Sequence, residues 1–141
     1  CALPILDATR MHAALQVLVG RHDFSSFRAA ECQSVSTERV LESVSVTRQG
    51  PLVVLDVTAN AFLHHMMRNI AGAALSVGEG SQPADWIGDL LAARDRTIAG
   101  ITAPAAGLYF CHVRYPAGAG LPVGAGPGQS AIMGALLPPE R

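Results

Sequence analysis

The stretch from Asn60 to Gly72 concentrates the residues of this chain that could do chemistry. Its otherwise apolar sequence is interrupted by four polar side chains, those of His64, His65, Arg68 and Asn69. A segment that enters a core rarely carries so many groups that need hydrogen-bond partners. The arginine stays charged at any ordinary pH, so its burial requires an acidic partner. We therefore expect Arg68 to meet a carboxylate, in this chain or in a substrate.

The two adjacent histidines raise the question of a metal site. Successive side chains of a regular helix point about 100° apart, so His64 and His65 cannot chelate one ion, and the other three histidines offer no matching spacing. No metal is expected. Helical spacing predicts instead that His64 shares a face with Arg68, and His65 with Asn69. Two roles for Arg68 stay open from the residues alone, a functional one and membership of a structural ion pair.

Composition restricts the class of protein. The 141 residues suit one domain with a sizeable core. Half of them are apolar and 15% are charged, which excludes a disordered chain. A net charge of −1 argues against strong non-specific binding to a polyanion by this chain alone. All ten basic residues are arginine, which a compositional bias of the source explains most simply.

Cysteine usage and the chain ends bear on location. Three widely spaced cysteines without a C-x-x-C pair favour reduced thiols in a cytoplasmic protein over a disulfide framework or a zinc site. No apolar run approaches the roughly 18 residues of a membrane span, and no signal peptide is recognisable, so no membrane association is expected. The first residue is Cys1 rather than Met, so we expect the sequence to be part of something longer.

The first half of the chain predicts a helix, an extended segment and a hairpin. Asp7 suits a helix N-cap, and apolar residues follow at helical spacing until Gly20. Phe24–Arg28 should lead into a short extended segment that ends near Ser34. Period-two alternation predicts a strand over 40–48, a turn over 49–51 and a returning strand over 52–58.

The second half predicts two helices, a strand and a tail. The helix from about Ala61 to Val77 carries the polar cluster, and Pro83 can begin another helix. Thr102–Gly107 should be a loop and Leu108–Tyr115 a last strand. We expect residues 1–115 to form an α+β domain, an antiparallel sheet with helices on one face, and residues 116–141 to be an irregular tail rich in proline and glycine.

Other charged and aromatic residues allow two interpretations each. Arg94–Thr97 is either a solvated turn or a contact site. Phe24, Phe27 and Arg28 are either core residues with a neighbouring charge or a contact to single-stranded RNA. Dinucleotide, Walker, nucleophile-elbow and H-E-x-x-H motifs are absent from the sequence, which removes the commonest nucleotide-binding, hydrolase and metalloprotease classes.

Four blocks in a fixed order carry a family resemblance. They are Asp23–Arg28, Asn60–Gly72, Leu90–Thr97 and Thr102–Tyr109. Together they resemble the C-terminal domain of the bacterial tRNA pseudouridine synthase A (TruA) family, over residues 6–116. The resemblance implies half of a pseudouridine synthase fold. It also implies an enzyme that isomerises uridines of the tRNA anticodon arm to pseudouridine, as a homodimer and without metal or organic cofactor.

The resemblance assigns a role to Arg68. In this family an aspartate begins the reaction by nucleophilic attack, and an arginine of the C-terminal domain pairs with it. Arg68 occupies the matching place. The nucleophile belongs to a Gly-Arg-Thr-Asp-x-Gly-Val-His motif in the N-terminal domain, and nothing in this sequence matches it. We therefore expect a chain that supplies the C-terminal half of the site, needs the missing N-terminal domain and is inactive alone.

Further site residues follow from the same resemblance. The candidate substrate pocket comprises Phe62, His64, His65, Met66 and Leu108, with Phe62, Met66 and Leu108 as walls for an extruded base. The candidate RNA-binding residues are Arg28, Arg94 and Arg96, as phosphate contacts. Two alternatives are a non-catalytic RNA-binding module and a dimerisation domain in which Arg68 forms an internal ion pair.

Overall fold

The computed structural model describes residues 5–115. Among these residues the chain forms three helices and three strands, in the order α1 (Ala8–Leu15), β1 (Gly20–Asp23), β2 (Glu38–Gln49), β3 (Leu52–Ala59), α2 (Met66–Gly78) and α3 (Trp86–Ala93). Short 3-10 turns lie at Gln16–Leu18, Ser25–Phe27 and Arg96–Ile98. The chain divides into two units, the first ending at Ala106 and the second beginning at Gly107.

The sheet is antiparallel, with β2 between β1 and β3. The β2–β3 hairpin predicted from the sequence is confirmed, with Gln49 opposite Leu52 and Val44 opposite Val57. Gly50 has a φ of +58° in the connecting turn, a conformation that glycine adopts without steric strain. Side chains alternate along β2, so Val44 is buried on one face of the sheet while its neighbour Ser43 is exposed on the other.

All three helices share one hydrophobic core with the inward side chains of the sheet. Its fully buried members include Leu15 of α1, Leu41 of β2, Ile70 of α2 and Leu90 of α3. The other face of β2 is polar and largely exposed. The predicted α+β fold, with helices against one face of an antiparallel sheet, is therefore confirmed. No helix within residues 5–115 is both long and apolar enough to cross a bilayer.

The helices α1 and α3 begin close to where the sequence predicts. The Asp7 side chain accepts a hydrogen bond from the Arg10 amide at 2.9 Å, so it caps α1 as expected. The helix predicted after Pro83 begins at Trp86, whose amide donates to the Pro83 carbonyl at 3.1 Å. Pro83 therefore lies in the turn that leads into α3.

The extended segment predicted after Phe24 is wrong in its position. The strand, β1, precedes Phe24, and the chain then forms a 3-10 turn over Ser25–Phe27. The Asp23 carboxylate accepts from the Ser25 amide at 2.9 Å, a local bond that favours a turn over a continued strand. Phe24 and Phe27 are both fully buried, with ring centroids 6.2 Å apart, so they are core residues.

The predicted start of the second helix is also wrong. Residues 61–65 are not helical, and α2 begins at Met66. Asn60 still pairs with β2, because its amide donates to the Val40 carbonyl at 3.0 Å and its side chain accepts from the Val40 amide at 2.9 Å. The His64 carbonyl accepts from the Ala29 amide at 2.9 Å. These distant partners hold the segment in a conformation that helical winding would break.

The predicted last strand, Leu108–Tyr115, is wrong as well. These residues form neither helix nor strand, and their side chains are exposed. The sequence pattern over 108–115 is typical of a strand, but a strand requires a partner for its backbone groups. The predicted tail, residues 116–141, lies outside the described residues, so the boundary at 115 stays a prediction.

Candidate active site at the start of the second helix

The chain enters α2 through a left-handed residue. His65 is the N-cap and has φ and ψ of 60° and 8°, a conformation that costs a non-glycine residue about 1–2 kcal/mol. The Met66 amide donates to the Leu63 carbonyl at 3.0 Å, which closes the turn. This geometry directs the imidazole towards the first turn of the helix, where Nη1 of Arg68 lies 3.3 Å from His65 Nε2. The predicted pairing of His64 with Arg68 on one helix face is therefore wrong, since His64 precedes the helix.

Arg68 is half-buried and fixed by a residue 35 positions away. Its Nε donates to the Ala103 carbonyl at 2.8 Å, and its own carbonyl accepts from the Ala103 amide at 3.0 Å. The guanidinium thus contacts a carbonyl oxygen and an imidazole nitrogen, neither of which carries a negative charge. These two bonds use two of the five N–H donors of the group, so it can still donate to a carboxylate.

His65 can accept from Arg68 because its ring is neutral. Burial lowers the pKa of His65 below 6.5, and electrostatic interactions with His64 and Arg68 lower it further, whereas Glu31 opposes them. The rings of His64 and His65 lie 4.0 Å apart between centroids, at 33°. Because a guanidinium only donates, this contact requires the neutral tautomer that carries its proton on Nδ1 and accepts at Nε2.

A pH dependence of stability follows from the lowered pKa. In the unfolded chain His65 binds a proton near pH 6.5, whereas the folded chain resists protonation, so its contribution is present above pH 6.5 and is lost as pH falls through the folded pKa. We expect the urea midpoint of the 141-residue chain to fall more steeply between pH 7.5 and 5.5 than that of His65→Asn. Asparagine tolerates the left-handed conformation and keeps an acceptor but does not titrate. Parallel slopes for the two proteins would contradict the assignment.

Asn69, one of the four polar residues noted in the sequence, is a buried junction whose partners the sequence does not reveal. Its side chain is 1% exposed. Nδ2 donates to the Phe27 carbonyl at 2.7 Å, while Oδ1 accepts from the Thr102 hydroxyl at 2.6 Å and from Arg96 Nη2 at 3.1 Å. Arg96 Nη2 also donates to the Thr102 hydroxyl at 2.8 Å. We call Asn69, Arg96 and Thr102 the amide cluster.

Gly72 lets the segment over 99–103 approach the helix. A Cβ at this position would lie 2.0 Å from the Ile101 carbonyl oxygen and 3.0 Å from its carbon. Both atoms belong to backbone, so neither can rotate away. The same segment continues through Thr102 and Ala103, which bond Asn69 and Arg68. One side of α2 therefore holds a loop that in turn holds the arginine.

The sequence of the chain as a whole matches a known family. The sequence profile of tRNA pseudouridine synthase matches residues 14–116. The chain belongs to this family. A protein of Aeromonas hydrophila named tRNA pseudouridine synthase A is 57% identical over 117 residues, which are 83% of this chain and 44% of that protein. One of Salmonella arizonae with the same name is 58% identical over 111 residues, 79% of this chain and 41% of that protein.

These matches confirm the resemblance to the tRNA pseudouridine synthase A family that the four sequence blocks indicate. The chain spans less than half the length of these relatives. A match of this extent shows the family to which the chain belongs.

The residues predicted to line the substrate pocket differ in their exposure and contacts. His65 contacts Arg68, and His64 is exposed beside it. Phe62 precedes them and exposes 40% of its surface. Met66 is fully buried and packs in the core of this chain. Leu108 belongs to the second unit and is 49% exposed. A base pocket with these walls stays a prediction.

The three arginines predicted to contact RNA differ in their surroundings. Arg94 is exposed, and its Nε lies 3.9 Å from the Asp23 carboxylate. Partial burial acts to raise the pKa of Asp23, but hydrogen bonds from Ser25 and Thr37 and the charge of Arg94 together lower it. Arg96 is half-buried and bonded within the amide cluster.

Arg28 is half-buried close to Cys32. The Ser34 amide is the largest cause that lowers the pKa of the Cys32 thiol, and the charge of Arg28 adds to it. Of the three arginines, Arg94 therefore has the side chain most accessible to a phosphate. The described residues, 5–115, contain no group of three or more side chains that could hold a metal ion.

Proposed function

We propose that this chain is the C-terminal half of a tRNA pseudouridine synthase that isomerises uridine to pseudouridine in the tRNA anticodon arm. Arg68 would pair with a nucleophilic aspartate supplied by the N-terminal half. We call the protein that combines both halves the full-length enzyme. The observation that carries the proposal is the half-buried Arg68 guanidinium, fixed by two uncharged acceptors and still able to donate.

The geometry suits a grip on a carboxylate. A guanidinium offers parallel N–H donors that match both oxygens of a carboxylate, and such pairs are stronger than neutral hydrogen bonds. The Ala103 carbonyl and the neutral His65 ring hold the group without neutralising it. Partial burial strengthens its attraction for an anion, because less water screens the pair. The positive end of the α2 dipole acts in the same direction.

A pair between Arg68 and the aspartate would keep the carboxylate ionised and correctly oriented. An adjacent positive charge lowers the pKa of a carboxyl group, and a nucleophile must be deprotonated. In the proposed reaction the aspartate attacks ribose C1′ as the bond from C1′ to uracil N1 breaks. The base then turns, and uracil C5 bonds C1′ and displaces the aspartate. The proton on C5 leaves to water as N1 regains one. Arg68 has no role as a proton donor in this scheme, since a guanidinium does not deprotonate in proteins.

The proposed partners follow from the proposed reaction. A uridine within a stem must leave the helix to be attacked, and Phe62 and His64, both exposed in the segment that leads into α2, offer ring surfaces for it. Arg94 is a candidate for a phosphate contact, and Arg28 is a second. Further partners in the proposal are the N-terminal half and a second copy in a homodimer, within the cytoplasm and without a cofactor.

The proposal is tested with tRNA that carries tritium on uracil C5. The full-length enzyme should release tritium to water, because formation of the new C–C bond expels that hydrogen. The isolated 141-residue chain should release none and should bind tRNA at least about 100-fold more weakly, since it would lack every phosphate contact of the N-terminal half and carries a net charge of −1. Release by the isolated chain, or tRNA binding by the full-length enzyme without release, would overturn the proposal, and the latter result would favour an RNA-binding module.

A further inference from the structure

The position of Arg68 depends on a segment with no regular structure of its own. Ala103 takes part in two bonds with Arg68, one to the side chain and one to the backbone. Residues 99–105 belong to neither helix nor strand. A loop carbonyl can orient an arginine only if the loop itself is fixed. Other bonds must therefore hold this segment against α2.

The amide cluster supplies that attachment. The Thr102 hydroxyl, one residue before Ala103, donates to Asn69 Oδ1 at 2.6 Å and accepts from Arg96 Nη2 at 2.8 Å. Asn69 is the residue after Arg68, so both ends of the attachment lie within one residue of the Arg68–Ala103 contact. Arg96 Nη2 reaches Asn69 Oδ1 as well, at 3.1 Å, which closes a triangle of hydrogen bonds.

The Asn69 amide can adopt only one orientation in this arrangement. Its Nδ2 faces the Phe27 carbonyl, which accepts, and its Oδ1 faces two donors. A flipped amide would place its NH₂ against the Arg96 guanidinium and its oxygen against a carbonyl, leaving buried groups unsatisfied. Because Asn69 is 1% exposed, water cannot repair that loss. The cluster therefore has a single low-energy arrangement.

We infer that Asn69, Arg96 and Thr102 are positioning residues. They fix the orientation of the Arg68 guanidinium indirectly, by holding Ala103 in place. The inference rests on the proposed function of Arg68. Misplacement of a catalytic group by about 1 Å can lower a rate about 100-fold. The cluster acts at one remove, because its three side chains contact the loop and the helix rather than the reacting atoms.

The inference gives Arg96 an internal role in place of an RNA contact. Its guanidinium donates to Asn69, to Thr102 and, at 3.5 Å, to the Gly100 carbonyl. A phosphate would have to compete with these bonds. The charge of Arg96 also contributes to the lowered pKa of His65, after burial and the interactions with His64 and Arg68. It thereby helps to keep the second acceptor of Arg68 neutral.

The test uses a matched pair of variants in the full-length enzyme. Thr102→Val keeps the shape of the side chain but removes the hydroxyl, and Thr102→Ser keeps the hydroxyl. We expect Thr102→Val to lower the single-turnover rate about 10- to 100-fold while the Kd for tRNA changes less than about 2-fold. Thr102→Ser should stay within about 3-fold of the wild type. Rates are measured well below each Tm, and Arg96→Gln provides the same test if Thr102→Val folds poorly.

A second background separates positioning of Arg68 from a general structural role. In Arg68→Lys, which lacks the Nε donor to Ala103, Thr102→Val should add less than about 3-fold. An equal loss in both backgrounds, a wild-type rate for folded Thr102→Val, or weaker tRNA binding by Arg96→Gln at an unchanged rate overturns the inference. Wild-type turnover by an Arg68→Gln variant would contradict the proposed function itself. If Arg68→Gln is inactive while Thr102→Val is fully active, only the positioning role of the amide cluster is contradicted.

Discussion

Replacing Arg68 with glutamine in the full-length enzyme should lower turnover about 1,000-fold while tRNA binding changes less than about 3-fold. Glutamine is neutral and cannot grip a carboxylate with two charged donors. Breaking a partly desolvated charge pair by removing one partner costs about 3–5 kcal/mol, and about 1.4 kcal/mol corresponds to a factor of ten in rate. Single-turnover tritium release, with a separate measurement of Kd for tRNA, resolves the two quantities.

The control is the same substitution at Arg21. This arginine has a side chain that is 74% exposed and pairs with Glu38 at 3.5 Å on the surface, so Arg21→Gln should leave the chemical step unchanged. Two outcomes contradict the catalytic account. If Arg68→Gln weakens binding and the rate of the bound complex stays constant, Arg68 is an RNA contact. If it lowers only the unfolding midpoint, Arg68 serves a structural pair.

Replacing Gly72 with alanine should destabilise the 141-residue chain by about 2 kcal/mol or more. The new methyl group would meet the Ile101 carbonyl at 2.0 Å, and overpacking of this kind costs about 1–3 kcal/mol, sometimes more. The gain in helix propensity, at most about 1 kcal/mol, does not offset this strain. Because the displaced backbone leads into Thr102 and Ala103, turnover of the full-length enzyme should fall as well.

Gly88 provides the matched control for Gly72→Ala. It also lies inside a helix, α3, but a Cβ there would meet only Val17 Cγ2, at 3.7 Å, an ordinary van der Waals contact. Gly88→Ala should therefore raise stability by about 0.5–1 kcal/mol. Urea unfolding of both variants measures the difference. Equal effects of the two substitutions would show that the segment over 99–103 is free to move away from α2.

The elements that the sequence predicts correctly depend on local signals. A capping aspartate defines the start of α1, and strict alternation with a Gly-containing turn defines the β2–β3 hairpin. α3 follows from helical spacing of its apolar residues after Pro83. These signals lie within a few residues of the elements they determine, so no tertiary information is needed.

The wrong predictions concern segments whose conformation depends on partners that are distant in sequence. The start of α2 is delayed because Ala29 takes the His64 carbonyl, and propensity alone does not reveal a partner 35 residues away. The same holds for the site: Arg68 is recognisable from its type and neighbours, but its anchor, Ala103, has no chemical signature. Asn69 is likewise recognisable as a polar residue that needs buried partners, but those partners lie 27 to 42 residues away in sequence.

The central claim is that Arg68 grips a carboxylate contributed by the rest of the full-length enzyme. A crystal structure of that enzyme tests it most directly. The account predicts two guanidinium nitrogens of Arg68 within about 2.7–3.0 Å of the two oxygens of one aspartate, with Nε still bonded to the Ala103 carbonyl. A guanidinium turned to bulk water, or an aspartate more than about 6 Å away in the tRNA-bound enzyme, would contradict it.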